Sequence, residues 1–380
     1  FFLFFLISFI ILATFIYMIL SNTNDNKIIT FGASLPLSGI NKELGKEIIE
    51  GANTYFSHIN ARGGMNEKLI HLIYYDDKYE PQNTLKNIRT LINKDKVFSL
   101  FGFVGTPTTK KVLPIVIDEG IPFIAPYTGA SFLRNHKYSN IINFRSSYKQ
   151  EIEKIVNFLY KTKQITNFAI FYQNDDYGEE GYIATIEALE KRKLVLVGEG
   201  TYKRNTLSIR HALHEIKTTN PQAIIIVGAY KPSARFIKKA RECCFNDVIF
   251  APISFVNANA LIEELHGDGT NILFSQTVPS YDDMSLEAAR EYRELLKFYY
   301  PSSKPSYASF ESFLAAKLLV TALHNINGPI NRRKFLTNLK YLQKDTLGAI
   351  PIKYNNTQLL NKTYLSLYIG GKFEPIGREY

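Results

Sequence analysis

Few residues of this chain are arranged for bond-making chemistry. His211, His214 and Glu215 fall on one helical face, a grouping that could begin a metal site but that an ordinary solvated helix explains as well. Asp76-Asp77 and Asp175-Asp176 each follow an apolar run. Paired acids can do general acid–base work, yet nothing in the sequence brings these two pairs together. The nearest phosphate-loop candidate, GINKELGKE, has the wrong glycine spacing and carries Glu47 where a magnesium-binding Ser or Thr should stand. There is no HExxH, no GxSxG and no GxGxxG after the first strand. No catalytic residue, metal or cofactor is expected. Thr, Tyr, Ser and Gly fill the loops instead, and these bind ligands but seldom catalyse alone.

The densest such region is residues 98–130, FSLFGFVGTPTTKKVLPIVIDEGIPFIAPYTGA. It reads as strand, loop, helix, strand, loop. The run 97–104 ends in Gly105-Thr106-Pro107-Thr108, a helix over 110–119 stops at Gly120, and the run 121–125 ends in Pro126-Tyr127-Thr128-Gly129. In open parallel sheets ligands bind where strand ends meet helix N-termini. Backbone N–H groups and the helix dipole there favour an anion such as a carboxylate. Thr106, Thr108 and Thr128 add hydroxyl donors. Turn and cap chemistry accounts for either loop taken singly; two such loops about twenty residues apart point to a site.

The elements that must position these loops alternate along the chain. Apolar runs fall at 28–35, 69–75, 97–104, 122–125, 141–144, 168–172, 194–197, 223–227, 248–251 and 271–278. Amphipathic helical stretches lie among them at 45–59, 82–93, 149–161, 177–192, 208–217, 232–244 and 286–299. Such alternation predicts an α/β fold of βαβ units with parallel sheets, and about ten strands predict two sheets in two lobes. A break at PSSKP (301–305) precedes two helices, 307–325 and 332–342, and a closing hairpin around Gly370-Gly371.

The 380 residues carry 45 Lys and Arg against 35 Asp and Glu, a net charge of +10. The basic residues are scattered with no basic helix or arm, so a solvated basic surface is expected and nucleic acid is not. The two Cys, Cys243 and Cys244, are adjacent; disulfide geometry separates its Cα atoms, so they are expected to remain unpaired. Residues 1–20 are apolar and uncharged, about the length of a bilayer-crossing helix. They read as an uncleaved membrane anchor or an export signal, followed by a polar linker over 21–27.

From residue 28 onward the chain resembles the type I periplasmic solute-binding proteins of the leucine/isoleucine/valine-binding kind. FGASLPLSGINKELGKEIIEGANTYFSHINARGGMN, LIYYDDKYEP, FGFVGTPTT, IPFIAPYTGA, FAIFYQNDDYGEEG, AIIIVGAYKP and FSQTVP carry the resemblance, in that order. It implies two α/β lobes, each a mostly parallel sheet flanked by helices, joined by three hinge strands. Lobe 1 would hold 28–146 plus 279–344, and lobe 2 would hold 147–278 plus 345–380. The resemblance further implies a binding protein and not an enzyme, with an ABC permease of the inner membrane as partner and a periplasmic or otherwise extracytoplasmic location. The same module could instead serve as the ligand-sensing domain of a kinase- or cyclase-type receptor.

The family's carboxylate-binding hydroxyl falls on Thr106, following Gly105, and its next ligand loop on Tyr127, Thr128 and Gly129. The aromatic lining its side-chain pocket falls on Leu44. Two second-lobe tyrosines fall on Tyr177 and Tyr230. The Glu that holds the ligand ammonium has no counterpart, since that region is FAPISFVNAN with Ile253 and Ser254. A buried ammonium without a counter-charge is costly. Either the ligand is not a standard α-amino acid or another acid serves, with Asp175 the first candidate.

Overall fold

The computed structural model describes residues 27–355 and 357–376. The expected anchor or export segment lies outside them; among the described residues no helix is long and apolar enough to cross a membrane. The chain opens with β1 (Ile28–Leu35), α1 (Lys42–Ala61), β2 (Leu69–Asp76), α2 (Pro81–Asn93), β3 (Ser99–Phe101), α3 (Thr106–Asp118), β4 (Phe123–Ile124) and β5 (Ile141–Ile142). These five strands form one parallel sheet in the order β2-β1-β3-β4-β5.

A second parallel sheet follows, in the order β7-β6-β8-β9. It is built by α4 (Tyr148–Lys163), β6 (Phe168–Gln173), α5 (Asp176–Glu190), β7 (Leu196–Tyr202), α6 (Arg210–Lys217), β8 (Ala223–Val227), α7 (Tyr230–Cys243), β9 (Ile249–Pro252) and α8 (Ala258–Glu264). Its central strand β8, AIIIV, is buried at every residue, as a parallel strand covered by helices on both faces must be. Then come β10 (Leu273–Gln276), α9 (Glu287–Tyr299), α10 (Tyr307–His324), α11 (Arg332–Lys340), β11 (Tyr364–Ile369) and β12 (Lys372–Pro375). The expected closing hairpin is β11–β12. With β10 it makes a third, antiparallel sheet, which the strand count alone did not suggest. Helix α10 is apolar nearly all round, buries 15 of its 18 residues and packs along α1 beside the first sheet.

Three segments pass between the two halves. Residues 143–147 lead from β5 to α4, residues 277–279 leave β10, and the return runs through 343–361. The first and third pair with each other: Asn143 N–H donates to Thr357 O at 2.6 Å, and Leu359 N–H returns to Asn143 O at 2.9 Å. The guanidinium of Arg145 meets the Glu311 carboxylate of α10 through two bonds of 2.9 Å, and Thr277 Oγ1 donates to the same carboxylate at 2.7 Å. One buried acid thus ties two crossings to lobe-1 core.

Two expectations need correction. Helix α3 begins at Thr106, not at Lys110; Pro107 in its first turn is preorganised for a helix, and Gly105 caps it with φ of 99°. Cys243 and Cys244 are joined, not free. Cys243 ends α7 and Cys244 leaves it in extended φ, which breaks the helical fan of side-chain directions.

Candidate functional site

The strand-end loops singled out from the sequence do meet. Thr106 starts α3 in the loop after β3, and Thr128 lies in the loop after β4. Their hydroxyls are 2.8 Å apart and wholly buried. A third hydroxyl joins them: Tyr148 OH lies 3.1 Å from Thr128 Oγ1 and 3.4 Å from Thr106 Oγ1. Sequence reasoning passed over Tyr148. It is the first residue of α4, set there by a capping box in which Ser147 and Gln150 satisfy each other's backbone N–H. That Ser-x-x-Gln spacing was a legible signal for the helix start, though not for where the phenol would reach.

Two glycines make room for aromatic rings. A Cβ on Gly129 would come within 2.5 Å of the Tyr148 ring and of its backbone nitrogen. A Cβ on Gly105 would lie 2.2 Å from the Tyr79 ring, and the φ of 99° itself favours glycine. The rings then continue. Tyr148 packs on Tyr177 with centroids 5.3 Å apart, and Tyr177 packs on Phe255 at 4.6 Å. Tyr127 and Tyr79 flank Phe255 at 6.0 and 6.1 Å. The Arg145 guanidinium stacks 3.8 Å above the Tyr127 ring. Phe255 is thus the centre of a cage that includes Tyr127 and Tyr177, and no sequence signal marked it.

Tyr177 is fully buried in the first turn of α5, its hydroxyl donating to Gly228 O at 3.4 Å. Tyr230 opens α7, is 2% exposed, and its hydroxyl has no partner. Across from it the start of α7 packs on the turn Gly39–Asn41, where the Asn41 amide nitrogen is likewise buried and unpaired. Leu44 is buried in the first turn of α1, on the same half as Asn41.

Three acids bear on the position of the missing Glu. Asp175 is already engaged: it accepts from Gln173 Nε2 at 2.8 Å and from Arg204 Nη1 at 2.9 Å, and caps α5 through Tyr177 N–H. A carboxylate nevertheless stands at Ser254, supplied by Glu151 of α4. Ser254 N–H and Oγ–H donate to it at 2.8 and 2.9 Å, and Ser275 Oγ–H at 2.6 Å. Burial pushes the Glu151 carboxyl up, and nearby Arg145 and these three bonds pull it back. A second acid, Glu47, lies one turn after Leu44 and accepts from Asn257 Nδ2 at 3.0 Å. Desolvation raises it to about 8, against lowering by Ser306 and Asn257.

The two halves touch around these groups. Arg204 Nη2 and Asn205 Nδ2 donate to Glu80 at 3.1 and 2.6 Å. Ser131 donates twice to Glu180, at 2.9 and 2.8 Å, and Lys110 pairs with Asp176. This is a closed arrangement with a polar rim around an aromatic interior. Asp76 and Asp77 serve structure beside β1, accepting from Ser38 and Ser34 at 2.6 and 2.8 Å. His211 and Glu215 are exposed neighbours along α6, 3.6 Å apart.

A family model described as periplasmic binding protein matches residues 28–367. A possible leucine/isoleucine/valine-binding protein from Rhodopirellula baltica superposes with a TM-score of 0.86 at 32% identity, covering 92% of this chain and 96% of that one. The Leu/Ile/Val-binding protein of Escherichia coli K12 is 21% identical over 68% of this chain and 69% of its own length. An amino acid binding protein of Pseudomonas aeruginosa is 21% identical, and the match spans only 57% of that protein. A fatty acid ABC transporter substrate-binding protein from Thermomonospora curvata shares the fold, with a TM-score of 0.82 at 18% identity over 92% of this chain and 91% of that one. The two parallel sheets, their three crossings and these matches agree, and the chain belongs to the periplasmic binding protein family, with the two-lobed type I fold.

Proposed function

We propose that this protein captures a small organic acid, an amino acid or a related carboxylate, in the cleft between its lobes outside the cytoplasmic membrane and presents it to an ABC permease. The observation that carries the reading is the convergence of the Thr106, Thr128 and Tyr148 hydroxyls at the N-terminus of α3. Each hydroxyl can turn its proton toward one anionic oxygen, and the helix dipole adds to that attraction. In this scheme Gly105 and Gly129 seat the Tyr79 and Tyr148 rings beside the ligand head, while Tyr127 and Leu44 line its apolar part. Tyr177 and Tyr230 close over it from the second lobe, and the unpaired Tyr230 hydroxyl gains an acceptor. Glu151, presented at Ser254, supplies the negative charge that an ammonium group would need. The names of the relatives support an acid: one set binds leucine, isoleucine and valine, and a fold neighbour is named for fatty acids.

Closure around the ligand is the working step, driven by the ligand's greater affinity for the closed state. A thermal-shift screen of the whole chain against amino acids, amides, small carboxylates and aromatic acids finds the ligand class. A ligand at a hundred times its Kd stabilises the fold by about 2.7 kcal/mol. Thr106→Ala then weakens the best hit about tenfold, the loss of one hydrogen bond to a charged group. Unchanged affinity in that variant would place the acid elsewhere.

A further inference from the structure

The strand ends that lead to Thr106 and Thr128 point at the cleft, so the N-terminal ends of the same parallel strands form the opposite pole of lobe 1. Loops at that pole carry exposed cations. Lys27 precedes β1, Arg62 lies in the turn before β2, Lys94 and Lys96 precede β3, and Lys137 precedes β5. Helix α11 lies across the same end. Arg332 Nε and Nη2 donate to Phe98 O and Val97 O at 2.8 Å, and Lys340 Nζ donates to Ser139 O at 2.8 Å. That brings exposed Arg333 to the pole as a sixth cation. Among the described residues none of the six has an ion-pair partner. The acids of these loops, Glu67, Asp95, Asp118 and Glu119, are outnumbered.

Large apolar side chains stand among these cations. Ile28 is 47% exposed, Leu69 44%, and Tyr341, directly after Lys340, 81%. Cations interleaved with exposed apolar groups suit a membrane surface, where the charges meet anionic headgroups and a tyrosine ring sits at headgroup level. Charge alone does not choose this pole. The far pole of lobe 2 also has exposed cations, Lys161, Lys163 and Lys193, before β6 and β7. Cations collect at helix C-termini through the helix dipole in any such fold.

The connectivity of the chain makes the choice. Residue 27 leaves the lobe-1 pole, and the seven residues 21–27 span at most roughly 25 Å, about the radius of gyration of a chain this size. Before them comes the apolar sequence 1–20, of bilayer-crossing length. An anchor there holds the lobe-1 pole beside the membrane and the lobe-2 pole away from it. We infer that the lobe-1 pole is a membrane-contact surface, seated on anionic phospholipid headgroups by Lys94, Lys96, Lys137 and their neighbours. The inference rests on reading residues 1–20 as an uncleaved anchor. Lobe 1 is then the fixed lobe, and lobe 2 the one that swings on closure.

The chain contains no Trp, so Tyr341→Trp gives a sole indole at the pole. That full-length variant is reconstituted into vesicles of phosphatidylcholine and phosphatidylglycerol carrying a headgroup spin label, and its emission is quenched. Quenching is weaker in phosphatidylcholine alone and is lost in about 1 M salt, where screening acts within roughly 3 Å. Lys94→Gln, Lys96→Gln and Lys137→Gln together remove it while the chain stays in the vesicles. Lys161→Gln, Lys163→Gln and Lys193→Gln together leave it unchanged. The salt titration needs no further substitution, so it reads the contact even where a triple variant folds poorly. Quenching that is equal in both lipids, that persists in high salt, or that the lobe-2 substitutions also remove, overturns the contact. Absence of quenching in a chain that stays with the vesicles through alkaline carbonate overturns it with the anchor intact. A chain that carbonate releases overturns the anchor, and the contact with it.

Discussion

On the cleft side of the crossing segments, the hydroxyls of Thr106, Thr128 and Tyr148 satisfy one another, and Tyr177 and Phe255 fill the space beside them. On the outer side, the Gln276 amide nitrogen and the Ser366 hydroxyl are buried without a partner. The same strand serves both: Ser275 completes the shell of Glu151, and its neighbour Gln276 is left without a partner. The contrast teaches that the cleft is self-complementary when shut. A ligand entering it must offer better bonds than the protein already makes with itself, which selects for a charged head over a neutral one.

The largest way to break this contrast is to damage the partition between the two sides. Glu311→Ala leaves the Arg145 guanidinium buried and uncompensated, and denaturant unfolding should show a loss of about 3–5 kcal/mol. Replacing the charged pair together by apolar residues should cost much less, because no lone charge remains. A second test uses pH. Burial raises the Glu47 carboxyl from 4.5 to about 8, so the folded structure holds more protons than the unfolded chain between those values. Stability is full below about 4.5, falls as pH rises, and has lost this contribution above about 8. Thermal melts across that window should follow this slope, and Glu47→Gln should flatten it.

Smaller effects sharpen the comparison within the cleft. Gly129→Ala drives a methyl into the Tyr148 ring and backbone, and should cost about 1–3 kcal/mol in thermal unfolding. Tyr148→Phe keeps the ring and removes the third hydroxyl, for a loss of about 1 kcal/mol. If the phenol matters only as packing, Tyr148→Phe will unfold with the unsubstituted protein.

Much of this architecture could be read before any coordinates. Apolar runs without strict alternation announced buried parallel strands, and AIIIV at 223–227 is buried throughout. The two Thr loops announced a shared site because strand ends in a parallel sheet lie along one edge, so a spacing of about twenty residues becomes a distance of 2.8 Å. Contacts that join distant parts of the chain were not legible. Glu151 reaches Ser254 across 103 residues, and Arg145 reaches Glu311 across 166, with no periodicity to link them. Phe255 escaped for a related reason: it lies in a single 3-10 turn, too short for any pattern. Helix α8 was missed because its start depends on the Asn257 side chain capping Ala260 N–H, not on an apolar stripe.

The pairing of residues 143–144 with 357–360 also carries a consequence for the order of assembly. A ribosome delivers the first partner more than two hundred residues before the second. The open edge at β5 therefore waits, unpaired, while the whole second sheet is made and folded. Lobes rich in local βαβ contacts can form as they emerge, whereas the joint between them has to close over a very long loop. The pairing of the first and third crossings is thus a late event in assembly. Chains halted shortly before residue 355 should hold the first two crossings, tied through Glu311, without the third strand that completes the joint.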